Sequence, residues 1–254
     1  MNILVCLKQV PAKDAPLKLA PEAGWIRDDV TYETNEPDAF ALEAALRLKE
    51  AHGGEVAALT VGPARAAQVL REALAKGADR AIHIEGAEAH RLDAFAAAEA
   101  ITRAIAGQAF DLILTCLQSY DGGYGQTGVI LAELLGAPHA TIIMQIEPAE
   151  GKKVRVKREL ESGNFQFVTL PTPAVLTIQS GINKLRYATL MGIKKAKTKE
   201  TKTVQPAASI SSKAVTLERV YLPEKQKQTE MLTGTPAEVA TKLVEKLKFE
   251  VRVI

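Results

Sequence analysis

The stretch "CLQSYDGGYGQTGVILAELLG", from Cys116 to Gly136, combines features suited to holding a phosphate. An apolar run ends at Cys116. Leu117, Gln118, Ser119, Tyr120 and Asp121 lead into Gly122, Gly123, Tyr124, Gly125 and Gln126, and a helical pattern begins near Thr127. Glycines let the backbone turn tightly and approach a ligand, while the free N–H groups and dipole at a helix start favour an anion. The spacing is neither G-x-G-x-x-G after the first strand nor G-x-x-x-x-G-K-[ST], so neither the dinucleotide fingerprint nor the P-loop applies. A glycine-rich helix entry with no ligand is the plain alternative. A second strand-to-helix loop, "TVGPARAAQ", brings Val61, Gly62 and Pro63 to the same kind of position.

Groups suited to catalysis are scarce. There is no G-x-S-x-G, no H-E-x-x-H and no clustered set of metal ligands at the usual spacings. His52, His83, His90 and His139 are scattered and read as surface or internally satisfied histidines. Cys6 and Cys116 lie far apart inside apolar runs, which suits buried free thiols better than a disulfide or a redox pair. A nucleotide-type loop without a reactive group points to binding or electron transfer, with the hard chemistry left to a cofactor.

A different chemistry is written in "LRYATLMGIKKAKTK". Leu185, Tyr187, Leu190, Met191 and Ile193 are followed at once by Lys194, Lys195, Lys197 and Lys199. Apolar anchors beside a basic rim suit a docking surface; a solvated lysine run is the plain reading.

These loops need a scaffold, and the patterning supplies one. Short apolar runs ("ILVCLK", "VAALTVGP", "RAIHIEG", "FDLILTCL") alternate with amphipathic ones ("DAFALEAALRLKEAHG", "ARAAQVLREALAKGA", "RLDAFAAAEAITRAIAGQ", "QTGVILAELLGA"). That rhythm is a parallel sheet with crossover helices. Then "ATIIMQIEP", "KKVRVKREL" and "FQFVTLPTPAVLTIQ" read as strands with no helix between them, an antiparallel flap or extension of the sheet.

Beyond Ser180 the period fails, and "KKAKTKETKTVQPAASISSKA" reads as an extended arm. A last helix opens at "TPAEVATKLVEKLK", with Thr235 as N-cap, Pro236 in the first turn and Glu238 completing a capping box. The expected division is a nucleotide-binding α/β domain over 1–192 and a C-terminal arm with its helix over 193–254.

The chain has 254 residues, 47% hydrophobic and 24% charged, with a net charge of +2. This is the composition of a globular protein, and no global field favours nucleic acid. No apolar run is long enough to span a membrane and the first residues read as a strand without a leader, so a cytoplasmic location is expected.

In order and spacing, "ILVCLKQV", "NEPDAFALEAALRLKE", "QSYDGGYGQTG", "VKRELESG", "PAVLTIQSGINKLRYATLMGIKKAKTK" and "RVYLPEK" resemble the beta subunits of electron-transfer flavoproteins over essentially the whole chain. The resemblance implies a Rossmann-like sheet of the adenine-nucleotide-binding type, and a heterodimer in which a larger alpha subunit holds most of an FAD while the beta subunit binds AMP. It implies an electron carrier, not an enzyme. Its electrons come from flavoprotein dehydrogenases, such as the acyl-CoA dehydrogenases of fatty acid beta-oxidation or amine dehydrogenases, and pass toward a quinone oxidoreductase.

Carried over residue by residue, the resemblance sets AMP against Cys6, Asn35, Glu36, Pro37, Asp38, Val61 and the loop from Cys116 to Thr127. Arg186, Tyr187, Leu190, Met191, Ile193, Lys194 and Lys195 match the loop that recognises dehydrogenases, with Leu190 as its anchor. Glu159 matches a glutamate near the flavin, where it can pair with an arginine of the alpha subunit.

Family members that bifurcate electrons hold a second FAD in place of AMP and tend to read D-G-D-T-A-Q-V-G at this loop. Here Gly123 replaces the second acid, Tyr124 a small hydroxyl residue and Thr127 the valine, which favours AMP. Pro37 stands where an aromatic is common, so no direct contact of that segment with the flavin is implied. A bifurcating subunit and a non-redox adenine-nucleotide-binding protein are the alternatives.

Overall fold

The computed structural model describes residues 1–20, 25–86, 92–205, 214–215, 217–222 and 229–253. His90, the arm segment 206–213 and the end of "RVYLPEK" lie outside the described residues. The chain forms two units, Met1–Glu218 and Arg219–Ile254.

In the first unit the strands are β1 (Asn2–Leu7), β2 (Gln9–Pro11), β3 (Tyr32–Thr34), β4 (Glu55–Gly62), β5 (Arg80–Glu85), β6 (Leu112–Cys116), β7 (His139–Ala149), β8 (Lys153–Glu159), β9 (Phe165–Pro171), β10 (Ala174–Ile178) and β11 (Thr201–Val204). The helices are α1 (Glu36–His52), α2 (Ala67–Lys76), α3 (Ala94–Ala104), α4 (Thr127–Leu135) and α5 (Leu190–Ala196). A nine-stranded sheet has the order β11-β5-β4-β1-β6-β10-β7-β8-β9. From β11 to β7 every neighbouring pair is parallel, and β8 and β9 add an antiparallel extension.

Strand alternation sorts side chains onto two cores. Ile3 and Val5 of β1 pack with Val56 and Ala58 of β4 against Leu46 of α1 and Leu70 and Leu74 of α2. Leu4, between them, points the other way with Leu59, Ile82 and Ile113, toward Ile101 of α3 and Leu131 of α4. Both faces are therefore covered, which is why the central strands read as nearly continuous apolar runs.

Three features differ from the sequence reading. The segment "FQFVTLPTPAVLTIQ" is two strands with different roles: β9 is the exposed outer edge, whereas β10 returns to the parallel sheet between β6 and β7. All of β10 is buried, as a strand covered on both faces must be. Residues 193–204, expected in the arm, form the end of α5 and all of β11 and belong to the first unit. Finally, β2 and β3 pair antiparallel as a small separate ribbon too short to leave a periodic signal.

In the second unit α6 (Pro236–Glu245) carries the expected capping box: Thr235 Oγ1 accepts from the Glu238 N–H, and Glu238 Oε2 accepts from the Thr235 N–H. Leu243, Val244 and Phe249 of this unit are exposed.

Candidate functional site

After β1 the chain winds outward through β4 and β5, then crosses back to place β6 on the other side of β1. The carboxyl ends of β1 and β6 are thus the point where the winding reverses, the position at which loops diverge and leave a crevice. A cleft lies there. Its floor is Cys6, Leu7 and Lys8 from β1 and its end, and Thr115 and Cys116 from β6. Leu59, Val61, Ala97 and Ile101 form an apolar wall, and Gly125, Gln126 and Thr127 close it at the start of α4.

No side chain caps α4, so its first N–H groups are presented at the cleft. Gly128 explains how the helix start comes so near the strands. A Cβ there would lie 2.6 Å from both Thr115 Oγ1 and Thr177 Cγ2, on β6 and β10.

Behind the floor, Asn35 is a fully buried hub. Its Nδ2 donates to Asp38 Oδ2 (3.1 Å) and to Cys116 Sγ (3.4 Å), and its Oδ1 accepts from the Tyr120 N–H (3.2 Å). Asp38 Oδ2 also accepts from the Lys8 N–H at 2.8 Å. With its own N–H donating to the Lys8 carbonyl at 2.9 Å, this one asparagine ties the end of β1, the start of α1 and the glycine-rich loop together, and its side chain does not cap α1.

Burial raises the Asp38 carboxyl above its ordinary value against the pull of these hydrogen bonds. Burial, with the Asp38 charge second, pushes Cys6 up to about 12 and raises Cys116 still further. Neither thiol is a nucleophile in this state.

The predicted residues fall into three sets. Cys6, Asp38, Val61, Cys116, Leu117, Gln118, Ser119, Tyr124, Gly125, Gln126 and Thr127 line the cleft. Asn35 and Pro37 are buried away from the lining. Glu36, Tyr120, Asp121, Gly122 and Gly123 also lie outside it; Tyr120 Oη reaches Glu36 Oε2 at 3.2 Å, and Asp121 holds Lys8. The two cysteines, expected as buried packing groups, are only half-buried, because each keeps surface toward the cleft.

Lys8 and Asp93 line the cleft and escaped the sequence reading. Asp93 caps α3 through the Ala96 N–H and accepts the Val215 N–H at 2.8 Å through its other oxygen. Its place before an apolar helix was a readable cap signal; its second bond was not.

Elsewhere in the first unit, Tyr187, Leu190, Met191 and Ile193 are exposed, and Lys194 and Lys195 with them. Arg186 instead turns inward onto α1. Glu159 ends β8 half-buried, its Oε2 accepting from Gln179 Nε2 at 3.1 Å. Among the described residues no group of His, Cys, Asp or Glu could hold a metal ion, and no helix is long and apolar enough to cross a membrane.

Residues 24–209 match the family model described as the electron transfer flavoprotein domain. The chain is 39% identical over 258 residues to the electron transfer flavoprotein subunit beta of Methylophilus methylotrophus, covering 96% of this chain and 97% of that one. It is 36% identical over 263 residues to the subunit of that name from Bacillus subtilis, across 100% of both chains. The Homo sapiens subunit beta is 34% identical over 255 residues, covering 98% of this chain and 97% of its own.

Proposed function

Because the chain belongs to the electron transfer flavoprotein beta-subunit family, we propose that it is the AMP-binding subunit of a heterodimeric electron carrier with one FAD, not a catalyst by itself. The observation that carries the nucleotide part is the cleft at the sheet's reversal point, closed by the uncapped start of α4. Leu59, Val61, Ala97 and Ile101 offer an apolar surface for an adenine. The N–H groups from Gly125 to Thr127, with Ser119 and Lys8, offer donors for a phosphate. AMP bound there is structural: it fills the crevice and fixes the loop from Cys116 to Thr127.

FAD, held mainly by the alpha subunit, supplies the electron-accepting chemistry when bound. This chain contributes a shelf for it, with Glu159 oriented by Gln179 toward a cation of the alpha subunit. The exposed Leu190, flanked by Tyr187, Met191 and Ile193 and rimmed by Lys194 and Lys195, docks flavoprotein dehydrogenases such as acyl-CoA or amine dehydrogenases. The electrons then pass toward a quinone oxidoreductase, and the carrier works in the cytoplasm.

A bifurcating subunit would need room for a second FAD. Against it, the Tyr124 ring lines the cleft and packs over Gly122, where a Cβ would meet it at 3.4 Å. Quantifying FAD and AMP released by denaturing the co-purified heterodimer tests the reading. One of each per heterodimer supports it; two FAD and no AMP would replace it with bifurcation.

A further inference from the structure

Resting on the docking reading above, we infer that Arg186 is a positioning residue: it clamps the root of the segment 187–193 to α1, so that Tyr187, Leu190 and Met191 are presented in one arrangement.

The contrast in exposure marks the two roles. Tyr187 is 93% and Leu190 82% exposed, whereas the Arg186 side chain keeps only 28% of its surface in solvent. Its Nε and Nη2 donate to Glu43 Oε2 (2.7 Å) and Oε1 (3.2 Å), and Nη2 also reaches Glu50 Oε2 at 3.0 Å. A planar guanidinium meets two carboxylates with separate nitrogens held in a rigid fork, whereas a lysine brings a single nitrogen.

Glu43 is the telling partner. It sits in the middle of α1 with a side chain 4% exposed, a place where a carboxylate is retained only if paired. Arg47, on the same helix, completes the pairing at 2.7 Å and sends its Nη2 to the Lys184 carbonyl at 2.9 Å. Asn183 Nδ2 adds a bond to the Phe40 carbonyl at 3.0 Å. Three of the four positions from 183 to 186, namely Asn183, Lys184 and Arg186, are thus fastened to α1.

The far end of the segment is fastened as well. Thr189 caps α5 through the Gly192 N–H at 3.0 Å, and Gly192 lies so close to α2 that a Cβ would sit 2.2 Å from the Ala75 carbonyl oxygen. Lys199 Nζ bonds the Leu74 carbonyl at the end of α2 at 3.0 Å. The exposed apolar side chains stand between two anchored ends. Such preorganisation removes ordering from the docking step, so its loss is read in affinity and not in the turnover of a formed complex.

The test uses the assembled heterodimer. In Arg186→Gln, backbone hydrogen exchange over 187–193 should quicken about tenfold, the signature of a local opening. Glu43→Gln should quicken the same amides, and the double variant should add little to either change, as partners in one interaction do. Unchanged exchange in Arg186→Gln overturns the positioning role.

With a reduced acyl-CoA dehydrogenase as electron donor, the KM for the Arg186→Gln heterodimer should rise about threefold or more at unchanged kcat and FAD content. A fall in kcat alone also overturns the inference. Leu190→Ala separates the two readings: it should raise KM without altering exchange. If Leu190→Ala leaves KM unchanged while Arg186→Gln loosens the segment, the docking reading fails and the clamp stands.

Discussion

Lys8 Nζ lies 2.6 Å from Asp121 Oδ1 and 3.3 Å from Ser119 Oγ, so one side chain at the end of β1 holds down the glycine-rich loop. Among the described residues Lys8 is also the one cation lining the cleft, and the acids there are Asp38 and Asp93. A phosphate there would be held chiefly by backbone N–H groups, with Lys8 fixing the loop that supplies them. Lys8→Gln should weaken AMP binding about tenfold, the share of one charge-assisted hydrogen bond, measured by calorimetry on nucleotide-stripped heterodimer. Unaltered affinity would show that the loop holds its shape without the lysine.

Gly128 is required by packing, not by backbone conformation. Gly128→Ala gains up to about 1 kcal/mol of helix propensity, yet inserts a methyl between buried Thr115 and Thr177, and overpacking of that kind costs about 1–3 kcal/mol. The expected net is a loss of about 1–2 kcal/mol in denaturant unfolding. Because Gly125, Gln126 and Thr127 line the cleft just ahead of it, AMP retention should drop as well. A variant with wild-type stability and full AMP would mean that the two strand hydroxyl residues turn aside at no expense.

The thiols give a chemical test of the cleft. With Cys6 raised from 9.0 to about 12, its thiolate fraction at pH 8 is about a thousandfold below that of an ordinary thiol, and Cys116 is held more firmly protonated. Iodoacetamide should therefore modify neither residue in the folded heterodimer over an hour at pH 8, and both after denaturation. Rapid labelling of either in the native state would contradict the burial that raises them.

What the sequence disclosed, and what it hid, follows from the range of each interaction. The strands β1, β4 and β6 and the helices between them declare themselves through local periods, and the Thr235–Glu238 capping box lies within four residues. The loop from Cys116 to Thr127 was visible from its glycines. Lys8 and Asp93 were not, because their second partners, Asp121 and Val215, stand more than a hundred residues away.

The placement of β10 was hidden for a related reason: strand order is a property of the assembled sheet, and "AVLTI" has the same composition wherever it inserts. In α5 the usual code is inverted. Its large apolar residues face solvent while Gly192 makes the close approach to α2, so periodicity aimed at the core finds no helix there.

Acid should release the Arg186 clamp. Burial alone would raise Glu43, but hydrogen bonds from Arg186 and Arg47 outweigh it and hold the carboxyl below its ordinary value of 4.5. Glu50 is lowered chiefly by its bond to Arg186. A carboxylate whose folded value is depressed contributes stability that is present above its unfolded value and lost as pH falls through the folded one. At pH 7, then, Arg186→Gln should destabilise the subunit by about 1–2 kcal/mol, the range for hydrogen bonds to a charged group discounted for the exposure of Glu50.

That difference from wild type should hold steady down to about pH 5 and close progressively below 4.5, as both carboxyls take up protons and the guanidinium loses its acceptors. Denaturant unfolding of the two proteins side by side from pH 7 to pH 3 reads it directly. A gap that persists undiminished at pH 3 would mean that Arg186 supports α1 by packing its stem and not by pairing with Glu43 and Glu50.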